Sequence, residues 1–221
     1  MIRNLIYLSY NVTTANVKLL IDYGVCDSAI ARLLLTRPTI LVLIDFDFIS
    51  ALEEVKGLGF DPSTTAFGTA LVTKQCMSKI LWDKKVDVFK RWGWSDEVVI
   101  RVFRRRPCLK LTSIDKINLV MSFWVNQMGW DPLALAKCPL VFSYSLPKSI
   151  IPRASVLQFL LMKGLLKKNA SLAAPFAYSE KMFLSKFIFS FEEESDYLLK
   201  LYDQKVKLAN TTENIDMPLT K

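Results

Sequence analysis

The residues of this chain best suited to chemistry are cations. Arg101, Arg104, Arg105 and Lys110, with Lys84, Lys85, Lys90 and Arg91 shortly before them, form the densest basic stretch. Guanidinium groups hold phosphate oxygens in pairs and ammonium groups hold them as point charges, so this set suits contact with a polyanion backbone. Other chemistries fail at the level of residue type. There is no histidine among the 221 residues, which removes Ser-His-Asp and Cys-His catalysis. Cys26, Cys76, Cys108 and Cys138 stand 50, 32 and 30 residues apart without a CxxC pair. That spacing suits neither a zinc site nor a disulfide framework, and it fits free thiols in a reducing compartment. No glycine-rich phosphate loop, GxSxG elbow or HExxH motif occurs. We therefore expect no catalytic residue, no metal, no cofactor and no small-molecule substrate.

The net charge of +8 is unevenly placed. Residues 1–73 carry 5 basic and 7 acidic side chains, residues 74–120 carry 12 and 5, and residues 121–221 carry 12 and 9, giving excesses of −2, +7 and +3. This asymmetry is the one expected of a polyanion-binding surface; solvated helix faces on an apolar chain are the plain alternative. A second, looser basic region, Lys163, Lys167, Lys168, Lys181 and Lys186, is offset by Glu192, Glu193, Glu194 and Asp196 and reads as ordinary surface. Mean hydropathy is +0.26. The longest charge-free runs, Asn4–Val17 and Ile117–Trp130, are 14 residues each, short of the roughly 18 to 20 that span a bilayer, so no membrane partner is expected.

The elements that must position these cations follow from the glycines. Gly24, Gly59, Gly93, Gly129 and Gly164 are spaced by 35, 34, 36 and 35 residues, each followed by an apolar residue: Val25, Phe60, Trp94, Trp130 or Leu165. A period of that size marks a repeat protein. In the clearest unit, Gly93 can end one helix in the left-handed conformation, Ser95 can cap the next, and Asp96 and Glu97 fall in its first turn. Val98, Val99, Val102 and Phe103 make one apolar stripe opposite Arg101 and Arg104, with Arg105 on the flank. Pro107 stops the helix, as Pro38 and Pro139 do in their units. The first unit has Asp27 or Ser28 as its cap. Asp61-Pro62 and Asp131-Pro132 each set an aspartate cap before a proline at the first helical position. Second helices are expected over Phe46–Val55, Thr73–Arg91, Ser113–Gln127, Pro147–Lys163 and Ser179–Lys207. Arg37 and Arg106, both just before a stop proline, are read as serving exposed helix-end carbonyls. The five tryptophans, Trp82, Trp92, Trp94, Trp124 and Trp130, could stack on bases, but Trp94 and Trp130 occupy the apolar post-glycine position and are read as packing.

The segments GWSDEVVIRVFRRRPCLKL, PLVFSYSLPKSIIPRASVLQFLLMKGLL and SEKMFLSKFIFSFEEE resemble the mTERF family, the mitochondrial transcription termination factors, and in particular its land-plant branch. The absence of a W-x2-L-G-x2-Y opening separates the chain from tetratricopeptide arrays, and the recurrent proline stop separates it from pentatricopeptide arrays of similar period. The resemblance implies repeats of two α-helices and a short 3₁₀ turn, with the proline between the helices, and a superhelix with a basic groove. The fold expected is all-α, a right- or left-handed superhelical solenoid of about five such repeats. Residues 1–21 would be a leader or an incomplete N-terminus, 22–203 the array and 204–221 a polar tail. The expected role is a monomeric, non-enzymatic organelle factor that binds double-stranded DNA and regulates transcription termination. RNA binding in organelle splicing or ribosome assembly, and a protein-interaction scaffold, are the alternatives. The mitochondrion is the expected address, and the chloroplast the alternative.

Overall fold

The computed structural model describes residues 2–42, 45–167 and 170–215. Lys168 of the second basic region and Asn169 lie outside the described residues, as do residues 216–221 of the tail. The described residues are helical and turn structure with no strand, and the chain divides into two compact units, residues 1–91 with 95–112, and residues 92–94 with 113–221.

Unit 1 runs α1 (Ile2–Asp22), α2 (Asp27–Thr36), a 3₁₀ turn (Pro38–Val42), α3 (Asp45–Gly57), α4 (Thr65–Gln75), α5 (Lys79–Arg91), α6 (Asp96–Arg105) and a 3₁₀ turn (Pro107–Leu111). Unit 2 runs α7 (Ile114–Ser122) into a π-helical segment (Phe123–Gln127), then α8 (Pro132–Lys137) and a 3₁₀ turn (Pro139–Ser143). A second π-helical segment (Leu146–Ile150) leads into α9 (Ile151–Met162), followed by a 3₁₀ turn (Ala174–Ala177), α10 (Glu180–Leu184) and a third π-helical segment (Ser185–Phe189). A 3₁₀ turn (Glu192–Glu194) and α11 (Ser195–Ile215) complete it.

The five grid glycines have φ of 81°, 82°, 87°, 68° and 71° and are the positive-φ residues among those described. A side chain is strained there, which is why glycine holds the grid. At Gly24 the two bonds of a left-handed helix stop are both made, from Gly24 N to Ile21 O (3.0 Å) and from Val25 N to Leu20 O (2.9 Å), and Gly59 and Gly164 repeat them. At Gly129 the helix arrives as a π turn, and the closing bond runs one residue further, from Trp130 N to Trp124 O at 3.0 Å. The residues before the stop prolines also share one geometry: Arg37 has φ −149° and ψ 59°, Arg106 −145° and 78°, Cys138 −134° and 67°. The proline ring drives each out of the helical region, and its fixed φ then starts the 3₁₀ turn.

Each unit has its own apolar core. In unit 1 Leu20, Leu33, Leu41, Phe48, Leu52, Phe67 and Phe103 are buried together, with Phe60 edge-on to Phe103 at 5.3 Å. In unit 2 Trp124 packs edge-on against Trp130 (4.8 Å) and Phe176 (5.3 Å).

One polar device recurs around the 3₁₀ turns, whose carbonyls have no helical partner. Asn16 Nδ2 donates to Leu41 O (3.0 Å), Lys85 Nζ to Lys110 O (2.7 Å) and Lys116 Nζ to Tyr144 O (2.6 Å). Arg153 Nη1 donates to Pro175, Phe176 and Tyr178 carbonyls at 3.3, 3.0 and 2.8 Å. A donor from a helix about 25 residues earlier thus closes each turn, and Asn16, Lys85 and Arg153 are buried in doing so.

Residues 2–22 form α1, with Asn16 and Leu20 buried. Several expected helix boundaries and caps change. Thr73–Arg91 is not one helix: α4 ends at Gln75 and α5 begins at Lys79, with the Ser78 hydroxyl accepting from Leu81 N (3.3 Å) in place of a proline break. Ser179–Lys207 is broken between Phe189 and Ser195, where Phe191 (φ −112°, ψ 76°) leaves helical geometry. Cys26, not Asp27 or Ser28, is the residue before α2, and it makes no side-chain cap bond. Asp131 caps α8 as expected, accepting from Leu133 N at 2.9 Å, whereas Asp61 accepts from Ser63 N (2.9 Å) in a turn ahead of α4. The fifth unit also has a stop turn, at Pro175, 36 residues after Pro139 and 11 after Gly164.

Candidate nucleic-acid interface

The candidate cations lie on α5, α6 and the 3₁₀ turn after them, all within unit 1. Helix α6 opens on Ser95, whose hydroxyl accepts from Val98 N (3.3 Å), and Asp96 and Glu97 face the positive end of its dipole. Val99, Val102 and Phe103 are buried and Val98 is half-buried, so the apolar stripe fixes the helix rotation and turns Arg101, Arg104 and Arg105 to the surface.

Exposure alone does not leave a cation free. Arg104 is exposed, yet its Nε donates to Leu58 O at the end of α3. Its guanidinium lies where a side chain on Gly59 would be, 2.6 Å from an ideal Cβ there. Lys90 pairs with Asp96 at 2.8 Å, and that hydrogen bond, with the carboxylate's charge, holds its pKa above the ordinary lysine value. Lys84, Arg91, Arg101 and Arg105 are exposed and make no ion pair or side-chain hydrogen bond among the described residues.

Lys85 and Lys110 belong to the interior. Lys85 shares the buried face of α5 with Val88 and Phe89 and donates to Lys110 O. Lys110 is 4% exposed, its ammonium 5.1 Å from the Trp82 ring centre and 5.6 Å from that of Phe103. Burial pulls the pKa of both below the ordinary lysine value, reinforced at Lys85 by the charge of Lys110. Two of the eight candidates are therefore structural by position. The signal was in the sequence: Lys85 precedes Val88 and Phe89 by three and four residues, and Lys110 follows its proline by three, as buried Leu41 and Phe142 do.

Arg37 and Arg106 do not serve helix-end carbonyls with their side chains. Arg37 is exposed and its guanidinium bonds no carbonyl; Arg106 is half-buried with a buried Nε that has no partner. The donors from earlier helices bond carbonyls of the following 3₁₀ turns, Leu41 O and Lys110 O, while at the ends of α2 and α6 it is the backbone N–H of Arg37 and Arg106 that reaches back to Leu33 O and to Val102 O and Phe103 O. The tryptophans are committed to packing: Trp94 is 2% exposed and donates to Pro132 O (3.0 Å), Trp124 to Asp131 O (3.0 Å) and Trp92 to Asn118 Oδ1 (2.9 Å). Trp130 is buried and Trp82 lies 5.1 Å from Phe103.

Among the described residues no helix is long and apolar enough to cross a membrane. Among known proteins, the chain is similar to Transcription termination factor MTERF15, mitochondrial, of Arabidopsis thaliana. The two are 28% identical over 109 residues, 49% of this chain and 24% of that relative, so the match spans about a quarter of the relative's length. No solved structure matches. The mTERF family model matches residues 5–184, from within α1 to the end of α10, and so takes in the first four glycine-marked units and most of the fifth. With that match over most of its length, and with a left-handed glycine in each unit and proline-led 3₁₀ turns between its helices, the chain belongs to the mTERF family.

Proposed function

We propose that the chain binds nucleic acid through backbone phosphates at Lys84, Arg91, Arg101 and Arg105, with Arg104 and Lys90 beside them held by internal bonds, and that it regulates transcription termination in an organelle. The observation that carries this reading is that these four cations stand exposed on α5 and α6 without a carboxylate partner. Phosphate contacts of this kind position a protein on a backbone and carry no sequence information of themselves. Duplex DNA is the preferred ligand and structured RNA the alternative, and the repeats are read as stacking into a superhelix that presents this surface. Family membership supports the nucleic-acid ligand, and the relative's name supports a mitochondrial address, with the chloroplast as alternative. The protein acts as a monomer without catalysis.

The test is a salt titration of binding to random duplex DNA and random RNA, for the wild type and for the variant with Lys84, Arg91, Arg101 and Arg105 all changed to glutamine. Each phosphate contact contributes about −0.9 to the log-log salt slope on duplex DNA, so loss of all four flattens it by about 3.6. An unchanged slope would place the ligand elsewhere. Tighter binding to RNA at matched salt would replace the DNA preference, and binding with no salt dependence would favour a protein partner.

A further inference from the structure

Between α2, α4 and the 3₁₀ turn Pro107–Leu111, unit 1 has a cleft of about 230 Å³ lined by Leu33, Val72 and Leu111, with Arg32 and Arg37 also on its wall and Cys108 beside them. Its base is tight: α2 and α4 approach where Ala29 meets Gly68, and a Cβ on Gly68 would lie 3.1 Å from that of Ala29. The two arginines are exposed and make no ion pair or side-chain hydrogen bond among the described residues. No carboxylate lines the cleft. The hydroxyls of Thr36, Thr69 and Thr73, also on the wall, donate to backbone carbonyls of their own helices at 2.7, 3.2 and 2.7 Å. The polar hydrogens the cleft offers a ligand are therefore chiefly those of the two guanidinium groups.

We infer that this cleft binds a phosphate monoester with a compact apolar body, of the size of one nucleotide. A monoester carries about −1.5 to −2 at neutral pH, which two guanidinium groups match, whereas a backbone diester carries about one charge. The apolar wall takes the body of the ligand, and the volume, below the roughly 300–1,000 Å³ of drug-sized sites, limits it to one unit. In nucleic acid a monoester occurs at a phosphorylated chain end. The same group occurs on a free nucleoside monophosphate, and the experiment separates these sources. The chain-end source rests on the nucleic-acid reading above; the free nucleotide does not.

Cys108 gives the readout, since it is exposed on the cleft, and Cys76, exposed but not on its wall, is an internal control. Alkylation of both thiols by limiting iodoacetamide is followed by mass spectrometry in the full chain. Parallel samples contain adenosine 5′-monophosphate, adenosine, or a short oligonucleotide with or without a 5′-phosphate. At a nucleotide concentration ten times its dissociation constant, Cys108 should react about elevenfold more slowly and Cys76 at its own rate. Adenosine and the 5′-hydroxyl oligonucleotide should not protect, and the Arg32→Gln/Arg37→Gln variant should lose protection while keeping the unliganded rate. Protection by the monophosphate alone assigns the site to a free nucleotide; protection by the 5′-phosphorylated oligonucleotide as well assigns it to a chain end. Equal rates with and without every phosphate, equal slowing of Cys76, or full protection by the 5′-hydroxyl oligonucleotide would overturn the inference. If Cys108 is unprotected while duplex binding keeps its salt slope, the cleft fails and the α5–α6 surface stands. Protection together with an unchanged slope in the fourfold variant would be the converse.

Discussion

In unit 1, helices α5 and α6 leave Lys84, Arg91, Arg101 and Arg105 exposed and unpaired. In unit 2, Arg153 is spent on three carbonyls, Lys116 on one, Lys163 lies 3.5 Å from Glu194, and Lys186 stands 4.8 Å over the Tyr178 ring, while Lys137, Lys181 and Lys200 are exposed and make no ion pair or side-chain hydrogen bond among the described residues. Net charge along the sequence adds these uses together. The difference teaches that in a helical repeat protein a cation first has to be cleared of closing helix ends before it can be counted as a ligand contact. Unit 1 makes the same point within itself, because Lys85 and Arg104 are committed to carbonyls while their neighbours are not.

The largest expected effect breaks the comparison on the structural side. Arg153→Met leaves the Phe176 and Tyr178 carbonyls without a donor, Pro175 O keeping its bond from Tyr178 N, and should destabilise unit 2 by about 2 kcal/mol or more. Lys85→Met orphans a single carbonyl and should cost unit 1 about 1–3 kcal/mol. Urea unfolding followed by tryptophan fluorescence measures both. A loss below about 1 kcal/mol for Arg153→Met would show that the turn carbonyls find water readily and that the buried donors are not needed.

This device marks the limit of what the sequence discloses. The glycine grid was fully legible, because a left-handed residue at a helix end leaves little choice but glycine, and all five positions have positive φ. Pro38, Pro107 and Pro139 were legible for the same kind of reason, a covalent restriction on φ and on the residue before. The break between α4 and α5 was not, since Ser78 makes it with a side-chain bond that many serines could make. The π-helical segments at Phe123, Leu146 and Ser185 leave no local signature, because packing widens those turns. In the candidate site the helix face of Arg101 and Arg105 followed from periodicity, and the burial of Lys85 and Lys110 would have followed from the same arithmetic. The bonds of Arg104 and Arg153 join residues 22 to 46 apart in sequence, and only the fold brings them together.

A smaller effect sharpens the account of Arg104. Gly24→Ala and Gly59→Ala each force a side chain into the left-handed region, at about 1–2 kcal/mol. A Cβ at Gly24 meets nothing within 4 Å, whereas one at Gly59 meets the Arg104 guanidinium and must push it from Leu58 O. In double-mutant cycles with Arg104→Met, Gly59→Ala should show a coupling of about 0.5 kcal/mol or more and Gly24→Ala none. Equal behaviour at the two glycines would mean that the Arg104 bond contributes nothing to the cap and that this arginine is free for phosphate.

The smallest effect separates Lys110 from the exposed cations. It occupies the position filled by Leu41 and Phe142 in the equivalent turns, and burial holds its pKa below 10.5. Below that lowered folded-state value both states carry the proton, and the folded state bears the full cost of a buried charge. As pH rises from there to 10.5, the unfolded chain holds a proton that the folded chain has shed, so wild-type stability increases, and above 10.5 it levels off. Lys110→Leu should therefore stabilise unit 1 near pH 7, by about 0.5–1 kcal/mol after loss of the ring contacts, with the gain shrinking toward pH 10.5. Destabilisation at pH 7 would mean that the contacts with Trp82 and Phe103 outweigh the buried charge. The same variant should leave the nucleic-acid salt slope unchanged, because an ammonium enclosed by rings releases no counterion when a phosphate arrives nearby. A slope that falls by about 0.9 would return Lys110 to the binding surface and require that the turn opens when the ligand binds.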